Sequence, residues 1–306
     1  MNGPPDTSVV IGTMKLKTPV MPASGTFGYG QEYSEFIDLN RLGAIVVKTI
    51  TLKPRVGSYP HRSTEVASGF LANIGLQNVG VERFIEDKLP YFEDIDAPLI
   101  VSIGGQSVEE FVKLADILNR QQRVDAFELN ISCPNVEKGG MHFGMDLEVT
   151  ENLVKRVRDV TEKSVIVKLT PLVMDIRPFA EICQLCGANG VSLINALVGM
   201  AIDIRTRRSK LGRNITGGLA GPAIKPFSLY LVWQACKTVD IPVIGIGGIS
   251  SAEDAIEFLI AGASAIEVGT WNLVNPAGMV EIIEGIEAYM AQNKIKALSD
   301  LIGTLS

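Results

Sequence analysis

Along the chain, short apolar runs alternate with stretches whose apolar residues recur at helical spacing. Eight runs read as strands: Val20–Ala23, Ala44–Lys48, Leu99–Ile103, Ala126–Ile131, Val165–Leu169, Val191–Ile194, Val243–Ile246 and Ala265–Val268. They are too apolar to keep one face in water, which predicts strands covered on both sides, as in a parallel sheet. Between them, Ser107–Arg120, Leu147–Glu162, Asp175–Cys186, Lys225–Thr238 and Ser251–Ala261 carry the spacing of helices. Ser107, with Glu110 three residues on, reads as an N-cap with a capping box. Eight βα units in 306 residues predict an α/β fold, a (β/α)8 TIM barrel, in one domain spanning 1–306. A doubly wound open sheet is the competing architecture. The count of eight and the lack of a Gly-x-Gly-x-x-Gly fingerprint favour the barrel.

Three stretches exceed a minimal barrel. Ser8–Ile11 and Met14–Lys17 flank Gly12-Thr13 and predict a hairpin before the first barrel strand, placed to cap the barrel bottom. Thr49–Tyr91 follows the second strand and Ala196–Gly221 follows the sixth. Loops that follow strands lie on the C-terminal face, where barrels build their sites.

Composition narrows the class. With 46% hydrophobic and 20% charged residues the chain has material for a large core, and extensive disorder is excluded. A formal net charge of −6 argues against general nucleic-acid affinity. No run approaches the roughly 18 apolar residues of a membrane span, and the N-terminus lacks a charged segment followed by an apolar one. The four cysteines are scattered and a chain this long needs no disulfide framework, so a reduced, cytoplasmic setting is expected.

Candidate chemistry sits at the strand ends. Lys48-Thr49 closes strand two, Asn130 to Asn135 follow strand four, Lys168 closes strand five and Asn195 follows strand six. A lysine in a run such as Val-Ile-Val-Lys-Leu is costly to bury alone. Either an internal carboxylate pairs with it, or the two lysines and the amides surround an anionic ligand with several acceptors; the second reading is preferred. Strand seven runs into Gly245-Ile246-Gly247-Gly248 and strand eight into Gly269-Thr270. Backbone N–H groups and a helix N-terminus there suit one phosphate, and Gly221 can join the cradle. One phosphate suggests a mononucleotide such as FMN, or a phosphorylated substrate. Cys133 lies in a loop between asparagines, ahead of a proline, where a thiol can serve as a base near neutrality. Cys183 and Cys186 fall on one helix face and read as core packing, as does Cys236. His61 reads as surface and His142 as a loop residue; Trp233 and Trp271 read as packing, with Trp271 next to the phosphate turn.

Several stretches together resemble the class 1 dihydroorotate dehydrogenases, specifically the catalytic FMN subunit of the NAD-linked class 1B form. They are Ala23-Ser24-Gly25-Thr26-Phe27, Lys48-Thr49, Asn73-Ile74-Gly75-Leu76-Gln77-Asn78, Asn130-Ile131-Ser132-Cys133-Pro134-Asn135-Val136, Gly217 to Ile224, and Ile246-Gly247-Gly248-Ile249. The segment Val136 to Gly144 is similar to the class 1B loop, and the resemblance runs from about Val9 to about Ile286. It implies a barrel holding FMN and oxidising (S)-dihydroorotate to orotate in de novo pyrimidine biosynthesis. Cys133 matches the base at substrate C5, with a hydride passing from C6 to flavin N5. Lys48, Asn73, Gly75, Leu76, Asn130, Asn135 and Asn195 match substrate-binding positions. Ser24, Lys48, Thr49, Ser102, Asn130, Lys168, Ile194, Gly221, Gly247, Gly248, Gly269 and Thr270 match FMN-binding positions, with Lys168 at the flavin N1 edge. Ala196, Ser102 and Ala220 depart from the family pattern, each removing or changing one polar contact.

The resemblance also implies a partner subunit with FAD and a 2Fe–2S cluster passing electrons to NAD+, in a heterotetramer built on a homodimer of barrels. The chain has neither a four-cysteine cluster pattern nor a dinucleotide fingerprint. No metal site, nucleic-acid partner or membrane partner is expected. The alternatives are a related flavin barrel acting on another dihydropyrimidine, use of fumarate as acceptor, a flavin-free phosphate-binding lyase or isomerase, and a non-catalytic binding subunit.

Overall fold

The structure is a computed structural model and describes residues 4–132 and 141–306; of Met141 and His142 it describes the backbone alone. It opens with the expected hairpin, β1 (Val9–Ile11) and β2 (Met14–Leu16). The barrel strands are β3 (Val20–Pro22), β4 (Ile45–Ile50), β7 (Leu99–Ile103), β8 (Ala126–Asn130), β9 (Ser164–Lys168), β10 (Gly190–Leu193), β15 (Val243–Ile246) and β16 (Ala265–Val268). They form one eight-stranded sheet, ordered β3-β16-β15-β10-β9-β8-β7-β4, with parallel pairing throughout. Nearly every residue of these strands is buried, as their uniform apolar character requires. The seam between β3 and β4 is closed by the Gly43 N–H donating to Val20 O at 2.9 Å. A Cβ at Gly43 would stand 2.1 Å from Thr18 O, so only glycine lets the two strands approach.

The principal helices are α2 (Val108–Asn119), α4 (Leu147–Arg158), α5 (Arg177–Leu185), α6 (Lys225–Cys236), α7 (Ala252–Ala261) and α8 (Gly278–Gln292), with short turns α1 (Val81–Arg83) and α3 (Met141–Gly144). Five match the expected helices, ending up to four residues earlier. α8 carries Gly278 and Gly285 within an apolar pattern and was not anticipated. The capping box at Ser107 is corrected to a single cap. Ser107 Oγ accepts from the Glu110 N–H at 3.3 Å, but the Glu110 carboxylate takes the Gln106 N–H at 2.7 Å. The reciprocal box lies at α7, between Ser251 and Asp254.

The hairpin tip sits on the N-terminal mouth, where the Thr13 N–H donates to Ser164 Oγ at 2.9 Å. The two long excursions are more ordered than their sequence suggests. β5 (Ser63–Val66) and β6 (Gly69–Ala72) come from the first; β11 (Leu197–Gly199), β12 (Ile202–Asp203), β13 (Arg208–Ser209) and β14 (Gly217–Ala220) come from the second. β14 pairs with β6, so the excursions join in one antiparallel sheet ordered β11-β14-β6-β5.

Candidate active site

Two polar systems lie toward the C-terminal ends of the strands. The first is charged. Lys168 closes β9, where the strand register sets it beside Asn130 of β8 and Ser192 of β10. Its ammonium is 4% exposed and lies 3.0 Å from Glu267 Oε2 and 3.3 Å from Glu128 Oε2. Ser192 Oγ donates to Glu128 Oε2 at 3.0 Å. The internal carboxylate weighed against a ligand for Lys168 is thus present, and twice over. Burial works against the Lys168 charge, but attraction from Glu128 and Glu267 outweighs it and holds the ammonium protonated above its usual range.

The second system is neutral and continuous. Ser102 Oγ lies 3.0 Å from Thr49 Oγ1, which accepts from Asn130 Nδ2 at 3.0 Å. Asn130 Oδ1 accepts from Ser132 Oγ at 3.3 Å, and Ser132 Oγ accepts from Asn195 Nδ2 at 3.0 Å. The chain links the ends of β4, β7, β8 and β10 and includes Ser132, the residue before Cys133 in sequence. Such a chain fixes which amide edge each asparagine presents, because each link to an amide specifies a donor and an acceptor.

Beside these lies a turn rich in unpaired donors. The N–H groups of Gly247, Gly248, Gly269 and Thr270 donate to no described residue. Gly247 has φ +126° and Gly248 φ +79°, and a Cβ on Gly248 would stand 2.7 Å from the Lys225 N atom. The bare backbone is therefore required both by conformation and by the close approach of α6. Behind the turn, Asp254 accepts from the N–H groups of Ser250 and Ser251 and from Lys225 Nζ at 2.7 Å. Gly221, also at positive φ, follows β14 and lies near α6 in sequence. Unpaired N–H groups at strand ends before a helix N-terminus suit a phosphate.

Among the other expected positions, Lys48 is half-buried on β4, and Ile194 is buried just after β10. Asn73 is not in the neutral chain: it accepts from Ser58 Oγ at 2.6 Å and donates to Thr216 O at 2.9 Å, tying the two excursions together. Gly75 and Leu76 both take positive φ in the same excursion. A Cβ on Gly104 would meet Thr49 at 2.9 Å and Leu76 Cδ1 at 3.7 Å, which sets Leu76 near the strand ends. Cys133 and Asn135 lie outside the described residues, as does the side chain of His142. Cys183 is fully buried and its thiol is pushed far up by burial; Cys236 is pushed up to about 12 for the same reason. His61 is exposed.

Sequence reasoning passed over Glu128, Glu267, Ser132 and Ser192. The signal was available for the two glutamates: each interrupts a strand otherwise covered on both faces, as Lys168 does. The serines carry no such signal, since their role comes from register across strands.

The sequence profile of the family described as dihydroorotate dehydrogenase matches residues 7–290. The chain is 53% identical over 297 residues to the catalytic subunit of dihydroorotate dehydrogenase B (NAD(+)) from Thermoanaerobacter sp. (strain X514), covering 97% of this chain and 98% of that protein. It is 50% identical over 301 residues to the protein of the same description from Trichlorobacter lovleyi, covering 98% and 99%. Among solved structures, a dihydroorotate dehydrogenase from Eimeria tenella in complex with ferulenol superposes with TM-score 0.82 at 21% identity, covering 98% of this chain and 88% of that one. This last likeness speaks to the fold.

Proposed function

Because the chain belongs to the dihydroorotate dehydrogenase family, we propose that it oxidises (S)-dihydroorotate to orotate in pyrimidine biosynthesis as the catalytic subunit of an NAD-linked enzyme. The observation that carries this reading is one site uniting a buried cationic lysine, a continuous amide and hydroxyl chain, and a cradle of unpaired N–H groups.

FMN is the cofactor whose chemistry fits these residues. Its phosphate would take the N–H groups of Gly247, Gly248, Gly269 and Thr270, with Gly221 beside them. Bound FMN supplies a hydride acceptor, at N5, for the hydrogen on substrate C6. Lys168, kept protonated by Glu128 and Glu267, would stabilise negative charge on the bound ring. Ser24, Thr49, Ser102, Asn130 and Ile194 would line the ring. Cys133 takes the C5 proton. Asn73, Asn130, Asn135 and Asn195 offer both donors and acceptors, matching the alternating carbonyl and N–H groups of a pyrimidine. Lys48 faces the substrate carboxylate, with Gly75 and Leu76 in the covering excursion.

The relatives are described as catalytic subunits of an NAD(+) enzyme. Those names imply a separate partner subunit; on the motif resemblance, that partner would carry FAD and a 2Fe–2S cluster and pass electrons to NAD+, in a cytoplasmic heterotetramer built on a homodimer of barrels. No helix among the described residues is long and apolar enough to cross a membrane. The test is an anaerobic visible spectrum of the purified chain before and after dihydroorotate. A flavin spectrum that bleaches promptly is expected. A protein that stays colourless after added FMN would overturn the reading.

A further inference from the structure

The eight barrel strands carry four ionisable side chains, Lys48, Glu128, Lys168 and Glu267. Three of them meet inside the barrel. Glu128 is 0%, Glu267 1% and Lys168 4% exposed. Two carboxylates against one ammonium would leave a negative charge enclosed by apolar side chains, and burying an uncompensated charge costs several kcal/mol or more. The hydrogen bonds show how the excess is removed. Glu128 receives Lys168 at 3.3 Å and Ser192 at 3.0 Å, and the same ammonium lies 3.0 Å from Glu267, so one lysine stands between two buried carboxyl groups. Glu267 accepts only from Lys168 among the described residues. Two carboxyl groups attract each other only when one carries a hydrogen. The one surrounded by donors is better satisfied as the ion.

We propose that Glu267 remains protonated and donates to ionised Glu128, and that this singly charged pair positions the Lys168 ammonium beneath the site. Glu267 and Glu128 are positioning residues in this arrangement: they act through Lys168.

The electrostatics agree. Burial, then the Glu128 charge, hold the Glu267 carboxyl well above the carboxylate range. Burial also opposes the Glu128 charge, but Lys168 and its hydrogen bonds outweigh it and hold that carboxyl low. The neighbouring strands β3, β7, β10 and β15 bring no ionisable side chain, and β4 brings Lys48. A carboxyl raised above its unfolded value contributes stability at low pH and loses it as pH rises through the folded value. Glu267 therefore contributes a loss of stability as pH rises, while Glu128, held low, contributes one as pH falls.

Glu267→Gln is the natural probe, because an amide reproduces the acid: its oxygen accepts from Lys168 and its nitrogen donates to Glu128. The measurement is the infrared carbonyl stretch of a protonated carboxylic acid in the full chain at neutral pH, identified by isotopic labelling of glutamate. The wild type is expected to show it and Glu267→Gln to lose it. The variant should match the wild-type thermal midpoint at acid pH, where Glu267 is protonated in both folded and unfolded chains, and lose the part of the decline with rising pH that Glu267 contributes. Glu267→Ala should lower the midpoint, with Gln as the rescuing residue. Absence of the band in the wild type, its persistence in Glu267→Gln, or failure of Glu267→Gln to fold would each overturn the proposal. The role of Lys168 toward a flavin rests on the function proposed above. A chain that shows the band but is not reduced by dihydroorotate would sink that function and leave the shared proton standing.

Discussion

At the N-terminal mouth of the barrel the polar groups close on one another. Thr13 reaches Ser164, Asn189 Oδ1 accepts the Val165 N–H, and Arg123 donates to the carbonyls of Phe92, Ile95 and Ala97 while pairing with Asp125 at 2.7 Å. At the C-terminal mouth the same strands end in an unpaired N–H cradle, a hydroxyl and amide chain, and three ionisable groups in one cluster. One end spends its hydrogen-bonding capacity on the chain itself, and the other leaves N–H groups that no described residue takes up.

This contrast can be broken from either end. The largest effect is expected at the open end: Cys133→Ser should slow flavin reduction by dihydroorotate about a hundredfold or more near neutral pH while retaining FMN, since serine is a far weaker base. Stopped-flow absorbance at the wild-type rate would remove Cys133 from that role. At the closed end, Arg123→Met orphans three carbonyls and should cost about 3 kcal/mol of stability in denaturant unfolding. It should leave the flavin midpoint potential unmoved; a shifted potential would mean that the two ends are coupled.

Gly248→Ala sets a Cβ against Lys225 at a strained φ. We expect about tenfold weaker FMN binding by titration, equivalent to about 1.4 kcal/mol; unchanged affinity would argue against the cradle. Ser164→Ala removes the acceptor for Thr13 and should cost about 1 kcal/mol without altering turnover.

The smallest effect concerns pH. Burial alone would raise the Asp254 carboxyl, but Lys225 and Ser250 hold it below the ordinary range. A depressed acid contributes stability above its unfolded pKa and loses it as pH falls through the folded value. The wild type should therefore lose more thermal stability than Asp254→Asn between about pH 5 and pH 2, and equal slopes would discount the Asp254 contribution behind the cradle.

Much of this arrangement was legible in one dimension. Runs such as Val165–Leu169 are apolar on both faces, so only a strand covered on both sides can hold them, and eight of them announce a barrel. Gly247-Gly248 at the seventh run announced the cradle. The sheet shared by β6 and β14 was not legible, because its strands lie more than a hundred residues apart and are short and glycine-bearing. The placement of Asn73 was not legible either: its amide bonds two segments that become neighbours only through that sheet.

What the sequence determined by itself is everything carried by local periodicity and by residue type at a strand end: the strand count, most helices, the lysines and amides at the mouth, and the family they match. The tertiary structure alone decided which of these groups meet. Lys168, Glu128 and Glu267 are separated by 40 and 99 residues from lysine to each partner, and no spacing rule joins them. The parallel register brings β8 and β9 side by side and the barrel's curvature turns β16 toward them. The low dielectric inside then makes three groups of unlike charge one electrostatic unit.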